Sequence, residues 1–189
     1  MRSFIAIGLP KEIQASLKLL QDKLKKSGAD LKLVKPENIH LTLKFLGEID
    51  ENKLTKISPI LETLLQNKTA FQIKLSSLGT FPKINSPRVV WVGMALGEQE
   101  VKIIAGELEE KLEKIGIPKE DKPFSSHITI ARVKSGLNKE KLVQAINDLG
   151  KDYTQSLEFT AEKITLFKST LMPTGPIYEV LKEINLTTI

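Results

Sequence analysis

The chain contains two histidines, His40 and His127, and each is followed two residues later by a threonine. The flanking letters match too, as His40-Leu41-Thr42-Leu43 and His127-Ile128-Thr129-Ile130. On a strand, residues i and i+2 share a face. Each segment therefore offers an imidazole beside a hydroxyl and turns its aliphatic residues to a core. One His-x-Thr alone is an ordinary solvated strand face. Two copies that use all the histidine in the chain argue for one shared site. Histidine titrates near neutrality, so one ring can act as a base while the other acts as an acid. Threonine hydroxyls can donate hydrogen bonds to an anion held between them. This set suits in-line displacement at phosphorus without a metal. One imidazole activates the attacking oxygen, the other protonates the leaving oxygen, and the hydroxyls hold the remaining oxygens. The motif is symmetric, so its spacing does not assign acid and base.

Other chemistries find little support. The chain has no cysteine, which removes disulfides, thiolate ligands and a cysteine nucleophile. It has no glycine-rich phosphate loop and no nucleophile elbow. A metal site needs more ligands than two distant histidines, and no carboxylate cluster has ligand spacing. No cofactor is expected. No window approaches the apolar length of a membrane span, and the N-terminus lacks the pattern of a secretory signal. A cytoplasmic protein is expected, with a monomer as the default.

The elements that must position the two motifs alternate between strand and helix. Residues 4–9 read as a strand. A helix follows over 10–27, with Pro10 at its first position, apolar Ile13, Leu17, Leu20 and Leu24 at helical spacing, and Gly28 closing it. Residues 31–34 read as a short edge strand. Residues 39–46 read as a strand ended by Gly47. Asp50 caps a helix carrying Leu54, Ile57 and Leu61, with Pro59 a possible kink. Residues 71–75 alternate as a strand, and 82–87 read as a loop. Strand 88–96, helix 98–115, loop 118–123 and strand 126–133 follow. A helix over 138–149 has Asn138 as its expected N-cap. Strands are expected at 155–159, 163–168 and 177–186, with a turn at Pro173 and Gly175.

A shift of 87 residues superposes the two halves, carrying His40 onto His127. It also aligns Phe4-Ile5-Ala6-Ile7 with Trp91-Val92-Gly93-Met94. This implies a repeat over about 1–87 and 88–175 within one domain spanning 1–189. Two similar lobes are expected, each βαβαβ-like and related by a pseudo-two-fold, and if they face each other both motifs line one cleft.

The segments Pro36-Glu37-Asn38-Ile39-His40-Leu41-Thr42-Leu43-Lys44-Phe45-Leu46-Gly47 and Ser126-His127-Ile128-Thr129-Ile130-Ala131-Arg132-Val133 resemble the paired motifs of the two-histidine phosphoesterase superfamily. Within it, the chain resembles the prokaryotic RNA 2′,3′-cyclic phosphodiesterases, long named 2′-5′ RNA ligases. Arg2-Ser3-Phe4-Ile5-Ala6-Ile7, Arg88-Val89-Val90-Trp91-Val92-Gly93 and Gly175-Pro176-Ile177-Tyr178-Glu179-Val180 also fit, so the resemblance runs nearly end to end. It implies a bilobal α+β fold, two pseudo-symmetric lobes each with an antiparallel sheet flanked by helices, with the site in the V-shaped cleft between them. It also implies metal-independent hydrolysis of a terminal 2′,3′-cyclic phosphate on RNA to a 2′-phosphomonoester. It assigns His40 as proton donor to the leaving 3′-oxygen and His127 as the base that activates water. Thr42 and Thr129 would hold phosphate oxygens. The alternatives are 2′-5′ joining of RNA halves in the same cleft, and a non-catalytic nucleotide- or RNA-binding module.

Charge and strand parity add weaker candidates. The formal charge is +5, and arginine occurs only at Arg2, Arg88 and Arg132 among 28 basic residues. The lysines interleave with glutamate as on a solvated helix face, which is not a nucleic-acid patch. The guanidinium fork of Arg132 fits phosphate, but parity turns it away from His127 unless the strand bulges. Arg88 could line an RNA path, although a plain surface role is the simpler reading. Lys44 has the parity of His40 and would add positive potential to the cleft. Phe45 and Phe124 could stack on a base, although core packing is the simpler reading. Trp91 is assigned to the core.

Overall fold

A computed structural model describes residues 1–150 and 157–188. In chain order the elements are β1 (Arg2–Gly8), α1 (Lys11–Lys25), β2 (Leu31–Leu33), a 3₁₀ turn (Pro36–Asn38), β3 (His40–Glu48), α2 (Glu51–Leu65) and β4 (Phe71–Lys83). Then come β5 (Ser86–Leu96), α3 (Glu98–Glu113), β6 (Ile128–Val133), α4 (Lys139–Gly150), β7 (Glu158–Ala161), β8 (Lys163–Met172) and β9 (Gly175–Asn185).

Local chemistry accounts for most boundaries. The Asp50 carboxylate accepts from the Lys53 N–H at 2.7 Å and caps α2, which runs through Pro59. Pro10 occupies the N-cap of α1, one residue before its expected place. Three helices bury regular stripes: Leu17, Leu20 and Leu24; Ile57, Leu61 and Leu65; Val101, Ile104, Leu108 and Leu112. Each fully buried leucine or isoleucine contributes about 1.5–3 kcal/mol relative to exposure.

Several expectations change. Residues 82–87 are not a loop. β4 and β5 continue through them as a hairpin, with Pro82 opposite Pro87 and a two-residue turn at 84–85. Gly47 does not end β3. It sits inside the strand at φ 68, where the pairing with β1 slips between Ser3 and Phe4. Asn138 precedes α4 at φ 51, and its side-chain amide donates to the Gly28 carbonyl at 2.9 Å, tying the α1 exit to the α4 entry. Of the strand expected at 155–159, residues 155 and 156 lie outside the described residues.

All strand pairs are antiparallel, in the order β7-β4-β5-β6-β3-β1-β8-β9, with β2 added on β6. The join between β6 and β3 is a single pair, Leu41 with Ile128. That narrow join divides the sheet into a half of five strands, β7-β4-β5-β6 with β2, and a half of four, β3-β1-β8-β9. Helices α2 and α3 pack on the β3-β1-β8-β9 side, while α1 and α4 pack on the β7-β4-β5-β6 side. The two lobes are therefore not the two halves of the chain. β1 and β3 belong with β8 and β9, while β4 joins β5, and α1 crosses to pack on β6. A sequence repeat records the order of elements, but strand pairing is non-local and is free to interleave them.

Candidate active site

The one pair that joins the lobes also assembles the site. Leu41 and Ile128 are fully buried, so their neighbours along each strand face the other way. The antiparallel sense around that pair sets His40 across from Thr129 and Thr42 across from His127. All four side chains line one cleft of about 420 Å³ between the lobes.

Both rings are held alike. His40 Nδ1 lies 2.7 Å from the Asn38 carbonyl, and His127 Nδ1 lies 2.7 Å from the Ser125 carbonyl. A carbonyl only accepts, so each neutral ring keeps its proton on Nδ1 and leaves the Nε2 lone pair free. Asn38 is itself anchored, its side-chain amide donating to the Pro176 carbonyl at 2.8 Å. Phe4 stacks on His40 at 4.7 Å between centroids, and Tyr178 meets it edge-on at 5.4 Å. Phe81 meets His127 edge-on at 4.9 Å, and Trp91 lies 6.4 Å away. Burial pushes the His40 pKa below its ordinary value. The Asn38 carbonyl opposes that shift, and the charge of His127 adds to it. Burial raises the Tyr178 pKa against the pull of Arg132 and Arg2, which keeps a neutral phenol at the site.

Two β-bulges decide which further side chains enter. On β3, Ala6 pairs with Thr42 and Ile5 with Lys44, leaving Leu43 unpaired. On β6, Trp91 pairs with Thr129 and Val90 with Ala131, leaving Ile130 unpaired. Each extra residue reverses the alternation. Lys44 thus turns away from the cleft. It is 2% exposed, its ammonium pairs with Glu109 at 2.8 Å, and it donates to the Pro118 carbonyl at 2.7 Å. The expectation that Lys44 adds charge to the cleft is therefore wrong. The same reversal brings Phe45 and Arg132 onto the cleft wall. Phe45 is 53% exposed there and does not pack in the core. Arg88 is also corrected. Val89 pairs with Arg132 and lines the cleft, so Arg88, one residue on, faces away and is exposed. Phe124 packs against the core.

Strand reading missed Phe4, Phe81, Trp91, Tyr178 and Arg2 as parts of the site. The 87-residue offset aligns Trp91 with Phe4 and so assigns it to the core. The pairing instead makes it the counterpart of Ala6, since each sits across from a motif threonine. Its ring lies over Gly79, where a Cβ would come within 2.3 Å of it. Arg2 carried a signal, being one of three arginines. Among the described residues, the cleft wall holds Arg2, Lys32, Lys35 and Arg132 and no carboxylate. Among the described residues, no three His, Asp or Glu side chains converge as metal ligands.

The chain matches the family described as LigT like Phosphoesterase over residues 7–91 and 96–178. The RNA 2′,3′-cyclic phosphodiesterase of Methanocaldococcus jannaschii is 45% identical over 183 residues, covering 97% of this chain and 99% of that protein. Its namesake in Thermotoga maritima is 38% identical, covering 97% of this chain and 94% of that protein. A crystal structure from Thermus thermophilus matches with a TM-score of 0.81 at 31% identity, covering 98% of each chain. Escherichia coli LigT complexed with 3′-AMP matches with a TM-score of 0.75 at 25% identity, covering 98% of each chain.

Proposed function

Since the chain belongs to the LigT-like phosphoesterase family, we propose that it hydrolyses the terminal 2′,3′-cyclic phosphate of RNA to a 2′-phosphomonoester. The observation that carries this reading is the Leu41–Ile128 pair, which gathers two imidazoles and two threonines on one face. The cyclic phosphate sits between Thr42 and Thr129, within reach of Arg132. His127 Nε2 takes a proton from water as the water oxygen bonds to phosphorus. The bond to the 3′-oxygen breaks in line, and His40 Nε2 supplies that oxygen with a proton. His40 ends neutral and His127 protonated, and solvent exchange resets both. The low pKa of His40 disfavours the acid form in the empty cleft, and the incoming phosphate anion restores it.

The cationic wall supports a metal-free reaction. Arginine, lysine and hydroxyl groups hold the anion, and among the described residues the wall offers no carboxylate to seat a hard cation. Both histidine strands come from one chain, which supports a monomer, acting on RNA in the cytoplasm. We read residues 1–189 as one catalytic domain built from a duplicated unit.

The test is a short RNA ending in a 2′,3′-cyclic phosphate, incubated with excess EDTA. A 2′-phosphate product from the wild type, lost in His40→Ala and His127→Ala, is expected. A joined RNA product would point to ligation. Unchanged RNA that remains bound would point to a binding module.

A further inference from the structure

A second cavity, of about 540 Å³, lies beyond His40 on the same face of the β3-β1-β8-β9 half-sheet. It shares Asn38, His40 and Tyr178 with the catalytic cleft. We propose that it holds the nucleotide preceding the cyclic phosphate terminus, making this enzyme selective for RNA ends over cyclic mononucleotides. The proposal rests on the phosphodiesterase reading with His40 as the acid.

The direction follows from the chemistry. In-line displacement puts the leaving 3′-oxygen opposite the attacking water. The acid that protonates it is His40, so the terminal ribose lies on the His40 side. The RNA strand continues from that ribose, and the cavity lies in its path. Its volume falls within the roughly 300–1,000 Å³ of ligand pockets.

The walls suit a nucleotide. Thr165 is 2% exposed and lines the cavity. It pairs with Ala6, which pairs with Thr42, so it lies on the catalytic face. The start of α1 forms another wall. Pro10, its N-cap, makes no side-chain cap. Lys11 and Gln14 line the cavity from that first turn, and a helix N-terminus without a side-chain cap favours one phosphate. β1 ends at Gly8, whose Cα pairs with His40, and Pro10 follows two residues on, roughly 7 Å along the chain. Glu37 and Glu162 also line the cavity, while Glu183 is paired with Lys163 at 2.7 Å. Free carboxylates accept from ribose hydroxyls or base amines and restrict the phosphate to the helix end.

The experiment compares kcat/KM for adenosine 2′,3′-cyclic phosphate and for the dinucleotide ApA ending in a 2′,3′-cyclic phosphate. Wild type is expected to favour the dinucleotide by about tenfold or more. Thr165→Val and Lys11→Ala should each remove most of that preference while changing mononucleotide hydrolysis less than about twofold. Lys11→Ala should also flatten the salt dependence on the dinucleotide by about 0.7 in log–log slope, the share of one single-strand phosphate. Lys11 is exposed and Thr165→Val keeps the side-chain volume, so both variants should fold. Equal kcat/KM for the two substrates, or variants that depress both alike, would overturn the proposal. Failure of wild type to hydrolyse either substrate would overturn the phosphodiesterase reading beneath it.

Discussion

The two imidazoles have matched hydrogen bonds but different surroundings, and that difference can be measured. Removing either ring should cost about 10²–10⁴-fold on a cyclic phosphate, the usual contribution of a positioned proton carrier. A nitrophenyl phosphodiester separates the roles, because its leaving group departs without a proton. On that substrate His127→Ala should keep its loss, while His40→Ala should recover to within about tenfold of wild type. The reverse pattern of recovery would exchange the acid and the base. His40 also leaves a trace in stability. Its folded pKa is lowered by burial, whereas the unfolded chain binds the proton at the ordinary value near 6.5. The unfolded state therefore holds more protons as pH falls through about 6.5, and folding stability falls with it. Above that value the site exerts no such slope. Urea midpoints taken from pH 8 down to pH 5 should decline more steeply for wild type than for His40→Gln. Parallel curves would mean that the ring is not desolvated.

At the scale of elements, two one-residue bulges determine what the cleft contains, and each is held by a buried polar contact from a helix. On β3 the holder is Lys44 with Glu109 of α3. On β6 it is Gln21 of α1, fully buried, whose amide donates at 2.7 Å to both the Val34 and Ile130 carbonyls. Gln21→Leu keeps similar volume but frees the bulge that aims Arg132. It should raise KM several-fold with kcat within about twofold, and a KM unchanged in a folded variant would count against this role. Glu109→Gln leaves the Lys44 ammonium buried without its counter-charge, and stability should fall by about 3 kcal/mol in urea unfolding. Lys44→Met in the same chain should restore most of it. These contacts also explain what the sequence made legible. His40 with Thr42, and His127 with Thr129, needed only the i, i+2 rule, which holds up to the bulge. Lys44, Phe45 and Arg132 lie past it, where one unpaired residue inverts every later assignment. The signal for inversion is Gln21 or Glu109 on a distant helix, and no local pattern carries it. Trp91 failed for a related reason. The 87-residue offset aligns the motifs and the helices, but strand pairing shifts β5 by two residues against it.

For the whole molecule, the consequence of interleaving is that neither half of the chain can stand alone. Alternation and capping signalled the order of strands and helices, including the helices at 11 and 98. They could not signal that α1 packs on β6 or that β1 lies against β8, because those partners come from more than 100 residues away. A chain cut in the turn at 84–85 tests this directly. Residues 1–84 would hold β1, β3 and β4, yet β4 pairs with β5 and β7, and β1 pairs with β8. The α1 stripe of Leu17, Leu20 and Leu24 would lose its cover from the β6 lobe. Exposing three such leucines costs on the order of 5–9 kcal/mol, comparable to the whole stability of a typical domain. Residues 85–189 would lose β1 from beside β8 and β4 from beside β5, leaving open sheet edges on both lobes. Each fragment alone should give no cooperative thermal unfolding by circular dichroism. Mixed from denaturant, the two should rebuild one cooperative transition, and with it the hydrolysis of the cyclic phosphate, since His40 and His127 lie on opposite sides of the cut. Cooperative unfolding of the 1–84 fragment alone would show that its strands find partners among themselves and would refute the interleaved pairing.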